Sequence, residues 1–170
     1  MASSKYQDSE NTRLAKWLPA VEKWPVRRTS DDTDHYNCFA YVAGDTGRPW
    51  CPLPILPRGV HWPIPVRDDE ENTVWPVLKG YETIGFEWCA DGSLEDGFEK
   101  LAIYTNQNNE PTHVAIQREN GTWQSKLGAD IDVEHALESL ESSDEFGLTD
   151  YGKATHFMRR KRTPPLATDR

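Results

Sequence analysis

Apolar residues recur along the chain in two periods, and the change from one to the other divides it. Leu14, Trp17, Leu18 and Val21 are spaced for a helix over residues 11–24, broken at Pro19. An extended piece follows at 24–27. Phe39, Ala40, Val42 and Ala43 come after the polar run 30–35 and stop at Gly44, which predicts a short helix with Cys38 in its first turn. Asn72 or Thr73 caps a helix carrying Val74, Trp75, Val77, Leu78 and Tyr81, whose spacing makes one apolar face ending at Gly85. Residues 86–89 read as a short extended segment.

From residue 98 onward, alternation takes over. Strands are predicted over 98–104, 112–118 and 122–127, with Val114 and Ile116 sharing one face of the second. The connections are short, and Glu119-Asn120-Gly121 is a hairpin signal, so the three form an antiparallel meander. An amphipathic helix is predicted over 132–140, then a loop over 142–150 and a last strand over 151–158. The expected fold class is α+β: a small antiparallel sheet of about four strands with the Cys38 helix packed on it. One domain spans 11–162, between a disordered stretch at 1–10 and a loose tail at 163–170.

Residues 44–67 fit neither period. Pro49, Pro52, Pro54, Pro57, Pro63 and Pro65 forbid a helix or a central strand, so the segment is a rigid surface loop. Its tryptophans either staple it to the domain or, with Trp50 and Trp62 beside Trp123, form the wall of a binding cleft.

Composition narrows the partners. The chain has 170 residues, enough for one core, and 36% of them are hydrophobic. A net charge of −9 argues against a nucleic-acid partner. The basic run Arg159-Arg160-Lys161-Arg162 reads as a solvated flank in a tail, and the acidic face around Glu134, Glu138, Glu141 and Asp144 as solvated surface. Three cysteines, an odd number, do not make a disulfide framework. The N-terminus lacks the apolar core of a signal peptide, and no stretch is long enough to span a membrane. A cytoplasmic protein with reduced thiols is expected, although the cargo of a specialised secretion system has the same appearance.

The candidate chemistry centres on Cys38. A thiol at a helix N-terminus feels unpaired N–H groups and the positive end of the dipole, both of which favour thiolate. His113 opens a strand downstream and is the candidate base. Cys51 and Cys89 read as structural. Zinc is a rival, since His35 and Cys38 have ligand-pair spacing and Cys51 and His61 complete four, but the second pair lacks tight spacing. A phosphate loop is absent, because the 44–48 turn lacks the Gly-Lys-Ser/Thr ending. No cofactor is expected.

The order helix-with-Cys, strand, strand-with-His, strand resembles the papain-like thiol hydrolases, closest to their compact bacterial cell-wall amidase branch. The resemblance rests on Cys38, on Leu101-Ala102-Ile103-Tyr104, on His113-Val114-Ala115-Ile116 and on Gly121 to Ser125. It implies a papain-like fold with Cys38 as nucleophile, His113 as base, Ser125 as the third member and Asn37 as an oxyanion donor. That family usually places His, Asn or Asp at the third position, so Ser125 is a departure, with Asp130, Asp132 and His135 as alternatives nearby. The chain is also similar to an uncharacterised bacterial domain family through Tyr36-Asn37-Cys38, Gly44-Asp45-Thr46, Gly97 to Lys100, Thr112 to Ala115 and Trp123 to Gly128, over roughly residues 36–160. That likeness implies no established activity.

Two functions follow from the sequence. One is thiol-dependent hydrolysis or acyl transfer on an amide or peptide-like bond. The other is a non-catalytic binding or immunity-type protein that keeps a papain-like shape and contacts a protein partner through the Trp/Pro-rich loop.

Overall fold

A computed structural model describes residues 2–142 and 151–163. Its centre is β3 (Phe98–Thr105), which pairs with β4 (Pro111–Gln117) on one side and β7 (Lys153–Lys161) on the other. β5 (Trp123–Lys126), β6 (Asp132–His135) and β1 (Arg27–Arg28) extend the sheet beyond β4, and β2 (Glu87–Cys89) closes the opposite edge against β7. The result is one seven-stranded antiparallel sheet in the order β1-β6-β5-β4-β3-β7-β2. Three short α-helices accompany it among the described residues: α1 (Ala2–Leu14), α2 (Cys38–Ala43) and α3 (Trp75–Glu82).

This overturns the expected small sheet of about four strands with a papain-like helix-on-sheet arrangement. Three strands account for the difference. β1 is two residues long and gives no periodic signal. β2, read as an isolated extended segment, pairs with β7 at Glu87↔Arg159, Trp88↔Met158 and Cys89↔Phe157. β6 lies where a helix was expected. Val133, Ala136, Leu137 and Leu140 do repeat every three or four residues, but the backbone of 132–135 pairs with β5 from Lys126↔Asp132 to Trp123↔His135. The chain then makes only a 3-10 turn over Leu137–Leu140.

Both faces of the sheet are covered, which is why β3 reads as an apolar run. Leu101 and Ile103 point to a first face, where they pack with Val114, Met158, Cys38, Phe39, Val42, Trp50, Trp62 and Tyr81. Ala102 and Tyr104 point to the second face, with Leu14, Leu18, Val21, Ala115, Trp123, Val133 and Leu140. Period-two geometry therefore places His113, the cross-strand partner of Tyr104, on the second face, and Val114, the partner of Ile103, on the first.

Residues 1–10 were expected to be disordered, yet α1 begins at Ala2 and ends at Leu14. Its surface is too polar to announce itself by periodicity. What holds it is a side-chain imitation of strand pairing: Asn11 Oδ1 accepts from Val26 N at 2.9 Å and Asn11 Nδ2 donates to Val26 O at 3.1 Å. Arg13 adds an ion pair to Asp130 at 2.7 Å. The helical pattern over 11–24, with its break at Pro19, resolves into the end of α1 at Leu14 and a separate 3-10 turn opened by Pro19, as its missing N–H allows.

The basic run 159–162 is also no tail flank. It belongs to β7 and its neighbouring residue, with Arg159 paired to Glu87 at 3.0 Å and to Glu95 at 2.5 Å, and Arg160 paired to Glu99 at 2.6 Å. The loop expected at 142–150, with Asp144 in it, lies outside the described residues from 143 onward, as does the tail from 164. Among the described residues no helix is long and apolar enough to cross a membrane.

Candidate functional site

The sequence signals around Cys38 converge on a structural clamp. Asn37 caps α2, its Oδ1 accepting from Ala40 N at 3.1 Å. The same oxygen accepts from Trp50 N at 3.1 Å, while Nδ2 donates to Trp50 O at 2.7 Å. Both ends of the amide are therefore engaged by the root of the proline-rich loop. The amide is thereby committed to holding the loop root, in place of the oxyanion-donor role expected of it.

Gly44 ends α2 at φ 76°, a left-handed conformation that costs glycine little, and this turns the chain so that Asp45 faces the loop. Asp45 accepts from Trp50 Nε1 at 2.8 Å and from Arg48 Nε at 2.8 Å. These bonds, Arg48's first and then Trp50's, hold its carboxyl down to about 2. The two ends of the loop are joined as a parallel bridge: Cys51 N donates to His61 O and His61 N donates to Pro49 O, each at 2.9 Å.

Trp50 and Trp62 are both buried and meet edge to face at 6.0 Å. Trp62 also packs against Phe39 at 5.9 Å and Tyr81 at 6.0 Å. Gly80 of α3 makes room for it: a β-carbon there would lie 2.3 Å from the indole ring. Both tryptophans expected to wall a cleft are therefore core. Trp123, the third, is buried on the second face of the sheet against Phe157 at 6.5 Å.

The structure does not bring Cys38 and His113 together. Cys38 is 7% exposed, on the first face, with its sulfur toward the backbone N–H of Val114. Burial raises its pKa to about 11, and the backbone N–H groups offset only part of that rise. The helix-terminus argument for a thiolate fails because desolvation outweighs those donors. His113 is fully buried on the second face, stacked on Tyr151 at 4.0 Å. Neither ring nitrogen has a hydrogen-bond partner among the described residues. Its pKa is pushed well below the usual histidine value by burial, and further by His135. A thiolate–imidazolium pair needs the opposite shift at each residue.

Ser125 does meet a histidine, but it is His135. Their Oγ and Nε2 atoms are 2.8 Å apart, and His135 Nδ1 lies 2.7 Å from Ala136 O. A carbonyl can only accept, so Nδ1 carries the proton and Nε2 accepts from the serine hydroxyl. Both side chains are buried, and burial lowers the pKa of His135 to about 4. The arrangement is a satisfied polar pair inside the core. As for zinc, no group of three His, Cys, Asp or Glu side chains among the described residues is placed to hold a metal ion.

The exposed feature that the candidate residues missed is the loop tip. Ile55 is 85% exposed and Leu56 is exposed beside it, between Pro54 and Pro57. The sequence signal was available: two large aliphatic residues where proline forbids a core element. The tryptophans of the same loop are the part that anchors it.

Residues 27–159 match the family model described as Domain of unknown function (DUF7689). The chain belongs to the DUF7689 family. The DUF7689 region takes in the clamped loop and all of the sheet except the last two residues of β7, while α1 lies outside it. No curated protein and no solved structure matches the chain.

Proposed function

We propose that this DUF7689 chain is a non-catalytic binding domain that contacts a protein partner through the tip of its proline-rich loop. The observation that carries this reading is an aliphatic side chain, Ile55, 85% exposed on a loop whose root is fixed by Asn37, Asp45, Trp50 and Trp62. Large aliphatic residues held out in water cost solvation and contribute nothing to the core. Prolines at 49, 52, 54 and 57 limit the backbone freedom that binding would have to freeze, so a partner gains affinity from a loop already ordered. Thiol catalysis receives no such support, because nothing near Cys38 activates it.

The test is photo-crosslinking from within the whole chain. A photoreactive residue replaces Ile55 in one sample and the exposed Trp88 in a control, each in extract of the source cells. A discrete adduct is expected from position 55. Unlabelled wild-type chain should compete it away, and Leu56→Asp should not. Equal adducts from both positions, or full competition by Leu56→Asp, would contradict the reading.

A further inference from the structure

The tip carries a charge as well as an apolar knob. Arg58 follows Pro57, is exposed, and has no carboxylate partner among the described residues. A partner for this tip therefore presents an apolar recess with a carboxylate at its rim. The chain itself carries a recess that pairs one aliphatic side chain with carboxylates. A cavity of about 660 Å³ is lined by Leu94, Glu95, Asp96, Gly97, Glu119 and Arg162, within the range of roughly 300–1,000 Å³ usual for ligand pockets. Leu94 is 55% exposed there, one of the few large aliphatic side chains outside the core.

Of the acids around the cavity, Glu95 is taken up by Arg159 and Lys100. Asp96 and Glu119 are exposed and have no ionic partner among the described residues. Arg162 is occupied by the Gln117 carbonyl at 3.2 Å and by Glu99 at 3.8 Å. The cavity thus offers one exposed aliphatic side chain, Leu94, beside two carboxylates with no ionic partner among the described residues. The tip offers two aliphatic side chains and a free guanidinium.

We propose that the occupant of this recess is the loop tip of a second copy of the chain, with Ile55 and Leu56 against Leu94 and Arg58 between Asp96 and Glu119. This rests on the loop tip being the contact surface. No loop residue lines the cavity, so tip and recess are different patches, and the contact either repeats head to tail or closes when two copies exchange tips. Joined head to tail, a pair keeps one free tip on one copy and one free recess on the other, and assembly continues beyond a dimer unless a ring closes. Repulsion between two chains of net charge −9 opposes it at long range. At physiological salt that repulsion is screened beyond about 8 Å, while the local Arg–carboxylate contact is much less so.

Sedimentation equilibrium on the full chain at physiological salt tests the proposal. Average mass should rise with concentration past that of a dimer or settle at a closed ring. Ile55→Asp and Leu94→Asp should each be monomeric alone. Mixed together, they should form a 1:1 complex and stop, because one keeps its recess and the other its tip. Arg58→Glu should weaken association about tenfold or more, and mixing it with Glu119→Lys should recover much of the loss. A wild-type monomer up to about 1 mM, a binding free energy weaker than roughly −4 kcal/mol, overturns the proposal. So does association that survives both apolar substitutions, or co-sedimentation of the tip with anionic vesicles in place of self-association. A monomer whose position 55 still crosslinks to another protein refutes self-association alone. Absence of any tip-dependent adduct refutes the binding-domain reading itself.

Discussion

Trp62→Ala should destabilise the protein by about 3–5 kcal/mol, the range for removing a buried indole. Trp62 is buried among Phe39, Trp50 and Tyr81 and lies over Gly80, so little can collapse into the space it leaves. Its Nε1–H is buried with no acceptor among the described residues, which separates packing from polarity. Trp62→Phe keeps much of the apolar contact and removes that orphan donor, and should cost only about 1 kcal/mol. Urea unfolding of the three proteins decides the matter. A Trp62→Ala cost under about 1 kcal/mol would mean that the loop root is not part of the core.

The second large effect is acid sensitivity from the buried histidines. His135, near 4 in the folded state, titrates near 6.5 when exposed in the unfolded chain. Between those values the unfolded state binds a proton that the folded state refuses. The stability that this difference supplies is complete above pH 6.5 and is lost as pH falls toward 4. For His135 the loss is about 3 kcal/mol, and His113, shifted the same way, adds to it. Thermal melts from pH 7.5 to 4.5 should show a steep fall in Tm. His113→Phe makes the contrast sharp. It keeps a ring against Tyr151, loses no hydrogen bond, and should leave stability at pH 7.5 unchanged or raised while flattening the acid limb. An unchanged acid limb in His113→Phe, or a large loss at neutral pH, would show that the imidazole has a partner the geometry does not provide.

These two effects also mark what was legible in the sequence. β3, β4 and β5 follow directly from their patterns, because strands next to a hairpin signal carry a local period that tertiary contacts only reinforce. β6 does not. The local spacing of Val133, Ala136, Leu137 and Leu140 reads as a helix, and pairing of 132–135 with β5 overrides it. α1 was missed for a different reason, since its docking depends on Asn11 meeting the backbone of Val26, a contact invisible to hydrophobic period.

The candidate site shows the same limit. Cys38 does open a helix and His113 does sit on the second of the long strands, so chain order looked favourable. Strand parity then places the His113 ring and the Cys38 sulfur on opposite faces of the sheet, and parity follows from register, which order alone does not specify. Asn37 and Asp45 were visible as a motif. Their partner Trp50 could be identified only once the loop was folded back onto α2.

The central claim is that the residues around Cys38 form a clamp for the loop and that the thiol itself is inert core. The most direct measurement is the rate of iodoacetamide alkylation at each cysteine between pH 6 and 9, read by mass spectrometry, in the native wild type and in His113→Phe. Cys51 and Cys89, both partly exposed, should react in the folded protein, while Cys38 should react only through unfolding and be untouched by His113→Phe at neutral pH. Rapid alkylation of Cys38 below pH 8, abolished by His113→Phe, would contradict it and restore a thiolate–imidazolium pair.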